Sequence, residues 1–246
     1  MNLNRHPFWR ARATQNVILD VWSRPNADLI VVERPKGPVA MGLGDDAQVA
    51  ALIDEHLPDV TYFVTAETVW PLLSGTTRTQ LRRGDRWDWL WTSTPPEAHP
   101  KQAQVKILTP QQERLVPDVM AVGYPDRWDG ADDSGATFFG YFDQTGVLAG
   151  AFAVHSPPEG STDGAYLAGL AVLPSHRRQG IGAALTVACT RWALERFPMA
   201  HLGVFVGNQA ALGLYTALGY QLGLPILNLF PVGPDAHEAP SANSSE

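Results

Sequence analysis

Apolar residues in the second half of the chain recur with spacings that alternate between those of strands and those of helices. Short β-rich runs, which are typical of strands, occupy Val105–Leu108, Thr137–Phe142, Val147–Val154, Tyr166–Leu173, Leu202–Val206 and Pro225–Phe230. One helical stripe is formed by Ile181, Ala184, Leu185, Ala188 and Trp192, and a second by Ala211, Leu214, Tyr215 and Leu218. The order strand, helix, hairpin, strand, helix, strand, helix, strand predicts a mixed sheet with helices on its faces, a fold of the α/β (α+β mixed) class.

Local signals mark the ends of several of these elements. Thr109-Pro110-Gln111-Gln112 has the residues of a capping box with proline at the first helical position. Asp143–Gly146 reads as a hairpin turn. Asn208 is placed to cap the last helix and Gly219 to end it.

The first half of the chain predicts a smaller α/β domain over residues 1–94. Its β-rich runs are Leu29–Glu33, Val60–Thr65 and Trp87–Thr92, with a helical spacing over Asp45–Leu57. Trp87, Trp89 and Trp91 alternate onto one face of their strand, which favours a packing face over a ligand platform. The proline-rich segment 95–101 predicts a linker, residues 102–232 the second domain, and residues 233–246 a disordered tail.

Charge and cysteine content limit the functions that fit. The chain of 246 residues has a formal net charge of −7, which argues against a nucleic-acid partner because phosphate neutralisation needs clustered basic residues. Cys189 is the only cysteine, so no intramolecular disulfide forms, and its helical setting predicts a packed side chain. Without a signal peptide or a stretch long enough to span a bilayer, we predict a cytoplasmic protein with no membrane partner and no metal.

The segment Leu170–Ala184 carries the clearest chemistry, because a strand leads through an Arg- and Gly-rich loop into a helix. The first turn of a helix offers unpaired N–H groups and partial positive charge, which together bind phosphate. Gly180 and Gly182 allow a ligand to approach the backbone, and Arg177 and Arg178 add cationic donors. The residues alone predict an anion site here, with a tight strand-to-helix turn as the alternative.

Two stretches of this half resemble motifs of the GNAT superfamily of N-acyltransferases. Arg177-Arg178-Gln179-Gly180-Ile181-Gly182 is similar to its R/Q-x-x-G-x-G/A signature, and it follows a strand that ends Leu-x-Val-x-Pro. Residues 208–220 resemble the second motif at Asn208, Ala211, Leu214, Tyr215, Gly219 and Tyr220. The resemblance covers about residues 104–230 and implies a GNAT-like central mixed sheet flanked by helices.

The resemblance also implies a co-substrate and roles for its residues. The co-substrate would be acetyl-CoA or another acyl-CoA, and the acceptor a small-molecule or peptide amine. Binding of acyl-CoA is assigned to Leu170, Ala171 and Val172 for the pantetheine arm, to Arg177, Arg178, Gln179, Gly180, Ile181, Gly182 and Ala183 for the pyrophosphate, and to Asn208 and Ala211. Tyr215 corresponds to the general acid that protonates the departing thiolate, with an apolar packing residue as the alternative. The two parallel strands would splay to admit the cofactor.

The general base and the acceptor are not identified by the motifs. The strand around Ala168-Gly169 carries no carboxylate where relatives often have one, so a water relay is expected. His155, Glu159, Asp163 and His201 are candidates, each also readable as a surface residue. The chain is expected to be a monomer or a homodimer, with residues 1–94 packed against the catalytic domain and shaping the acceptor cleft.

Three other interpretations bear on function. Gly42-Leu43-Gly44-Asp45-Asp46-Ala47 fits a dinucleotide-binding fingerprint, but Asp45 and Asp46 would put negative charge where a pyrophosphate binds. A non-catalytic acyl-CoA-binding or interaction module is the second. The third concerns residues 1–94. The two-domain arrangement of the chain is similar to that of two-domain members of the superfamily such as the glycine N-acyltransferase-like group, and on this interpretation residues 1–94 would be a degenerate acyltransferase-like domain.

Overall fold

A computed structural model describes residues 7–11, 17–125 and 135–233 of the chain. Its helices and strands, in chain order, are α1 (Pro7–Arg10), β1 (Ile18–Arg24), β2 (Ala27–Val32), β3 (Val39–Gly44), α2 (Asp46–His56), β4 (Tyr62–Ala66), α3 (Gly75–Gln80), β5 (Leu81–Thr92), β6 (Val105–Ile107), α4 (Pro110–Glu113), α5 (Val116–Gly123), β7 (Thr137–Phe142), β8 (Leu148–His155), β9 (Ala165–Val172), α6 (Ile181–Leu194), β10 (Ala200–Phe205), α7 (Gln209–Ala217) and β11 (Gln221–Pro231). All but one residue of the tail predicted over 233–246 lies outside the described residues.

The chain forms two compact units that are not contiguous in sequence. The first comprises residues 1–89, 204–207 and 222–246, and the second comprises residues 90–203 and 208–221. The strand near the C-terminus was predicted to belong to the second domain, residues 102–232. It lies largely in the first unit instead.

The first unit is an α/β layer in which one helix covers a sheet of six strands in the order β1-β2-β3-β4-β11-β5. Helix α2 buries Val49, Leu52 and Ile53 against residues from β2, β3, β4 and β11, as the helical spacing predicted. The ring of Trp89 on β5 is fully buried and meets Phe8 edge-on at 5.5 Å. Trp89 is thus a packing residue, in agreement with the interpretation favoured from the sequence.

The glycines of the dinucleotide-like stretch in β3 are explained by protein packing. A Cβ at Gly42 would collide with Val49 of α2, and a Cβ at Gly44 would collide with the carbonyl of Asn26 on the neighbouring hairpin. The N-terminus of α2 is already capped, because the Asp45 side chain accepts a hydrogen bond from the Gln48 N–H. The stretch therefore serves close helix–strand packing and leaves no free helix N-terminus for a pyrophosphate.

The second unit has five strands in the order β10-β9-β8-β7-β6, with β9 and β10 parallel and the other pairs antiparallel. Helix α5 packs on one face, where Val116, Val119 and Met120 contact Ala151 and Ala171. Helix α6 packs on the other face: a Cβ at Gly150, the residue before Ala151, would point at Leu185 and Ile181. This is the predicted mixed sheet flanked by helices.

Most element ends agree with the local signals, and the differences have identifiable causes. The capping box at Thr109 and Gln112 and the cap by Asn208 are both present. Helix α3 was not predicted, because GTTRTQ has no apolar stripe; its start is fixed by Ser74, whose side chain accepts from the Thr77 N–H. Strand β5 begins at Leu81 rather than at the predicted Trp87, since charged residues interrupt its alternation.

Candidate active site

The centre of the second unit is a fork between two parallel strands. β9 pairs with β10 only at Ala165↔Ala200 and Tyr166↔His201 among the described residues, although β9 continues to Val172. A bulge follows, because one residue lies between Ala151 and Ala153 on β8 while two lie between their partners Ala168 and Ala171 on β9. Gly169 sits in the bulge with a φ of +70°, a conformation that glycine adopts readily. We call the point after Tyr166 and His201, where pairing ends, the fork; the predicted splaying of the strands is present.

A loop with two left-handed residues connects β9 to α6. A single 3-10 turn, Pro174–His176, is followed by Arg178 with φ +61° and Gly180 with φ +78°. Alternation between right- and left-handed residues turns successive N–H groups toward one side, which creates an anion-binding concavity. No side chain caps α6, whose Ala184 N–H is the first to bond back into the helix, to Gly180. The first-turn amides of Ile181, Gly182 and Ala183 therefore remain for a ligand.

Gly182 has no packing reason to be a glycine. A Cβ there would lie 3.8 Å from Leu170, 3.8 Å from Leu214 and 3.9 Å from Val172, all ordinary contact distances. Its backbone is helical, where alanine is more stable than glycine by about 1 kcal/mol. The absent side chain instead leaves the loop backbone accessible, which suits close approach of a phosphate group.

The two motif arginines have different surroundings. Arg177 Nε donates to the Val172 carbonyl at 3.2 Å, and its Nη2 donates to the Gly123 carbonyl at 3.1 Å. It thereby ties the end of β9 to the end of α5, where a Cβ at Gly123 would lie 3.1 Å from the Val172 nitrogen. Arg178 makes no hydrogen bond or ion pair with any described residue, so its guanidinium is the one available to an anion.

Residues outside the motif also hold the loop, and sequence analysis assigned them to a linker. Lys101 Nζ donates to the Gln179 carbonyl at 2.7 Å. The His99 ring packs on the loop as well, since a Cβ at Gly180 would lie 3.3 Å from it. Arg191 of α6 donates to the Pro96 carbonyl at 2.9 Å. No spacing in the sequence pointed to Lys101, because its partner lies on a loop remote in sequence.

A short chain of polar groups fixes the turn that precedes the loop. Ser175 Oγ and His176 Nδ1 are 2.9 Å apart, and His176 Nε2 lies 3.1 Å from Asp143 Oδ2 in the β7–β8 hairpin. The Asp143 carboxylate accepts from the Thr145 hydroxyl and from the Thr145 and Val147 N–H groups. These hydrogen bonds, that of the Thr145 side chain first, lower the pKa of Asp143 well below its ordinary value.

Tyr215 on α7 is a buried phenol with a free hydroxyl. Only 6% of the residue is exposed, and no described residue forms a hydrogen bond with its hydroxyl. Burial raises the pKa of Tyr215 far above its ordinary value, and the phenols of Tyr220, Tyr124 and Tyr166 raise it further. Tyr215 therefore stays protonated throughout the physiological pH range and is always able to donate its proton.

Asn208 and Ala211 are engaged with each other. The Asn208 Oδ1 accepts from the Ala211 N–H at 3.1 Å and caps α7. The cap leaves the Asn208 amide nitrogen as the donor that remains for a ligand. Their assignment to acyl-CoA binding stays a prediction.

The four candidate bases range from fully buried, for Asp163 and His201, through half-buried, for His155, to exposed, for Glu159. Glu159 is exposed in the loop before β9. His155, Tyr166 and His201 lie side by side on β8, β9 and β10, with ring centroids 5.8 Å apart for His155–Tyr166 and 5.2 Å for Tyr166–His201. Asp163 and His201 are 0% and 1% exposed.

The family model for acetyltransferases of the GNAT family matches residues 87–220, more than half of the 246-residue chain. The chain belongs to the acetyltransferase (GNAT) family. It is an enzyme of the acetyltransferase class, and the matched range coincides closely with the second unit. Among the described helices, none combines the length and the apolar character that a membrane crossing requires.

Solved structures extend the resemblance of this GNAT protein over the whole chain. A GNAT-family protein from Novosphingobium aromaticivorans has a TM-score of 0.57 at 18% identity, covering 95% of this chain and 100% of its own. A GCN5-related N-acetyltransferase from Kribbella flavida has a TM-score of 0.58 at 14% identity, covering 92% and 93%. A tandem GNAT protein from the clavulanic acid biosynthesis pathway has a TM-score of 0.51 at 17% identity, covering 85% and 80%. At these identities the likeness concerns the fold. None of the curated proteins compared with the chain matches it.

The space around Gly182 generates a first prediction. Gly182→Val should fold normally, because its Cβ meets only ordinary contacts. CoA affinity should fall by about two orders of magnitude, since charge-assisted hydrogen bonds are worth about 1.5–3 kcal/mol each. Isothermal titration with CoA measures the loss. Gly213→Val on the exposed side of α7, where a Cβ also meets open space, is the matched control, and unchanged CoA affinity in folded Gly182→Val would refute the site.

The arginines generate a second prediction. Arg178→Ala should weaken CoA binding by about 10- to 100-fold, the equivalent of one charge-assisted contact, with an unchanged melting temperature. Arg177→Ala should lower the free energy of unfolding by about 1 kcal/mol, because two exposed hydrogen bonds to carbonyls are lost. Calorimetry and thermal melts on both variants measure the two effects, and a destabilised Arg178→Ala with full affinity would reverse the assignment.

Proposed function

We propose that the protein transfers an acetyl or other acyl group from acyl-CoA to a primary amine. The observation that supports this most directly is the open loop at the N-terminus of α6, with its uncapped helix, the accessible backbone at Gly182 and an Arg178 that has no partner among the described residues. These features fit a pyrophosphate and have no other structural use among the described residues. The second motif supplies Tyr215 as a proton donor.

The described residues fit acyl-CoA in a definite orientation. The first-turn amides of α6 and Arg178 hold the pyrophosphate, and Gln179 and Gly180 shape the loop. Beyond the fork, β9 has no further pairs with β10, so its backbone around Leu170 is available to a pantetheine arm as an added strand. The Val172 carbonyl is already used by Arg177, which leaves the peptide groups nearer the fork for this role. The arm therefore leads from the loop towards Tyr166.

The reaction then follows from the groups on either side of the thioester. The amine nitrogen attacks the thioester carbonyl carbon, forming the C–N bond while an N–H of β9 stabilises the oxyanion. The C–S bond breaks as the carbonyl re-forms. The Tyr215 hydroxyl donates its proton to the sulfur. Because its pKa is raised, the phenol is protonated before the step begins, but it is also a weaker acid, so the raised pKa does not drive the transfer.

A screen for free-thiol release tests the proposal. Acetyl-CoA and longer acyl-CoAs are incubated with mixed amine acceptors, and any thiol released above the rate without amine identifies a substrate pair. CoA binding without transfer to any amine would instead indicate a non-catalytic acyl-CoA-binding module. Acceptor identity would also decide whether the glycine N-acyltransferase-like group is the relevant subgroup.

Tyr215 generates the prediction for the chemical step. Tyr215→Phe should slow single-turnover transfer by about 10²–10⁴-fold, the range of general acid catalysis, with little change in CoA affinity or stability because no hydrogen bond is lost. Near-normal single-turnover transfer would make Tyr215 a packing residue.

Tyr220→Phe is the matched control for this measurement. The Tyr220 hydroxyl shares a buried hydrogen bond of 2.7 Å with Thr190. Its removal should lower the free energy of unfolding by about 1–3 kcal/mol, because the Thr190 hydroxyl is left buried without its partner. The rate of the chemical step should stay near that of the wild type.

Stoichiometry gives a further prediction. In the first unit, Asp45 caps α2, and Val49 and Asn26 occupy the space beside the glycines of β3. We therefore expect one CoA per chain in a calorimetric titration. A value of two would show that the first unit retains an acyl-CoA site.

A further inference from the structure

The aromatic row, His155, Tyr166 and His201, lies at the fork and has no role in the steps above. Cross-strand pairing sets it up: His155 is the partner of Tyr166 across β8 and β9, and Tyr166 is the partner of His201 across β9 and β10. Directly paired residues point to the same face of a sheet. Three consecutive strands therefore place two imidazoles around one phenol.

The row faces the side of the sheet opposite to the loop. His155 follows Ala151 by an even number of positions on β8, so both point to the face where Ala151 packs against α5. Gly150 faces α6, and Leu214 of α7 lies near Gly182 in the first turn of that helix. The Tyr220–Thr190 hydrogen bond also ties the chain after α7 to α6.

Tyr166 is close enough to Tyr215 for its phenol to influence the ionisation of Tyr215. Tyr166 itself lies at the fork, because it is the last residue of β9 that pairs with β10. His201 is 1% exposed, whereas His155 is half-buried at the end of β8. The row accordingly runs from the interior to a position with solvent access.

We propose that the aromatic row is the proton-accepting side of the transfer, with His201 as the base at the fork and His155 as its outlet to solvent. This rests on the proposed function. The ammonium form of the acceptor gives one proton to the His201 imidazole and becomes the nucleophilic amine. The protonated His201 passes this proton to water by way of His155. After the C–N bond forms, Tyr215 donates its proton to the sulfur as the C–S bond breaks, and the second proton lost by the nitrogen restores the Tyr215 phenol. One proton per turnover is released to water, which balances an ammonium and a thioester against an amide and a thiol.

Other ionisable groups surround the row and set the conditions of the test. Asp163 is buried in the loop before β9, where a Cβ at the next residue, Gly164, would lie 3.0 Å from His201 Cδ2. Asp118 lies on α5, and Tyr124 is the residue directly after that helix. Tyr215 approaches from α7. The titration of any of these groups can influence the pH profile of the wild type. A comparison of two acceptors therefore isolates the role of the row better than a pH profile alone.

The test compares two acceptors of similar shape, an alkylamine found by the screen and its alkoxyamine analogue, which is already neutral at assay pH. His201→Gln should lower kcat/KM for the alkylamine by about 10²-fold at neutral pH. The loss should be less than about tenfold for the alkoxyamine, and it should shrink as the pH rises towards the pKa of the alkylamine, because neutral amine needs no base. CoA affinity should be unchanged by calorimetry.

Equal losses for both acceptors, or no loss, would overturn the proposal. His155→Gln provides the second variant, since its half-buried side chain tolerates replacement if His201→Gln fails to fold; it should show the same selective loss for the alkylamine, and an unselective effect would count against the row. His56→Gln, on α2 of the first unit, is the matched control and should behave as the wild type with both acceptors. A wild type inactive with every amine would reject the proposed function instead.

Discussion

The fork between β9 and β10 is the constraint on which the site depends. Backbone N–H and C=O groups that lose their ladder partners must be satisfied by water, by side chains or by a ligand. After Tyr166, β9 has no further pairs with β10 in the described chain, while it remains paired with β8 as far as Val172. The strand is thus held rigidly on one side and open on the other. An extended ligand with amide groups is the partner that such an edge suits best.

The helix beyond the loop shows a second departure from local stability. Helices α2, α3, α4 and α7 are each capped by a side chain, from Asp45, Ser74, Thr109 and Asn208. Helices α5 and α6 have no side-chain cap, and α6 also carries a glycine in its first turn. It is stable nonetheless because apolar side chains on more than one side of it, Leu185 and Val187 among them, are fully buried. The local loss at its N-terminus is compatible with the fold, and it is the condition for binding an anion there.

The sequence predicted the elements of the second unit well because periodicity and caps are local properties. It also predicted the helix that follows the Arg- and Gly-rich loop and the helix that carries Tyr215; the functional roles of both remain predictions. It could not separate Arg177 from Arg178, because the partners of Arg177 are the carbonyls of Val172 and Gly123, which only tertiary packing brings together. Lys101 and the aromatic row escaped assignment for the same reason. His155 and His201 were noted as separate candidates, whereas strand pairing makes them neighbours of a single tyrosine.

The bulge at Gly169 reconciles the two ends of β9. In a regular strand Tyr166 and Ala171 would point to opposite faces, since they are an odd number of residues apart. The extra residue changes this parity: Ala168 and Ala171 face β8 residues of the same side, so Tyr166 and Ala171 both point towards α5. Leu170 and Val172 then point towards Gly182 and α6. A β9 without the bulge would place Tyr166 on the same face as Leu170, so the aromatic row and the loop would lie on one side of the sheet. One inserted residue therefore places the proposed phosphate site and the proposed proton acceptor on different faces of the same strand.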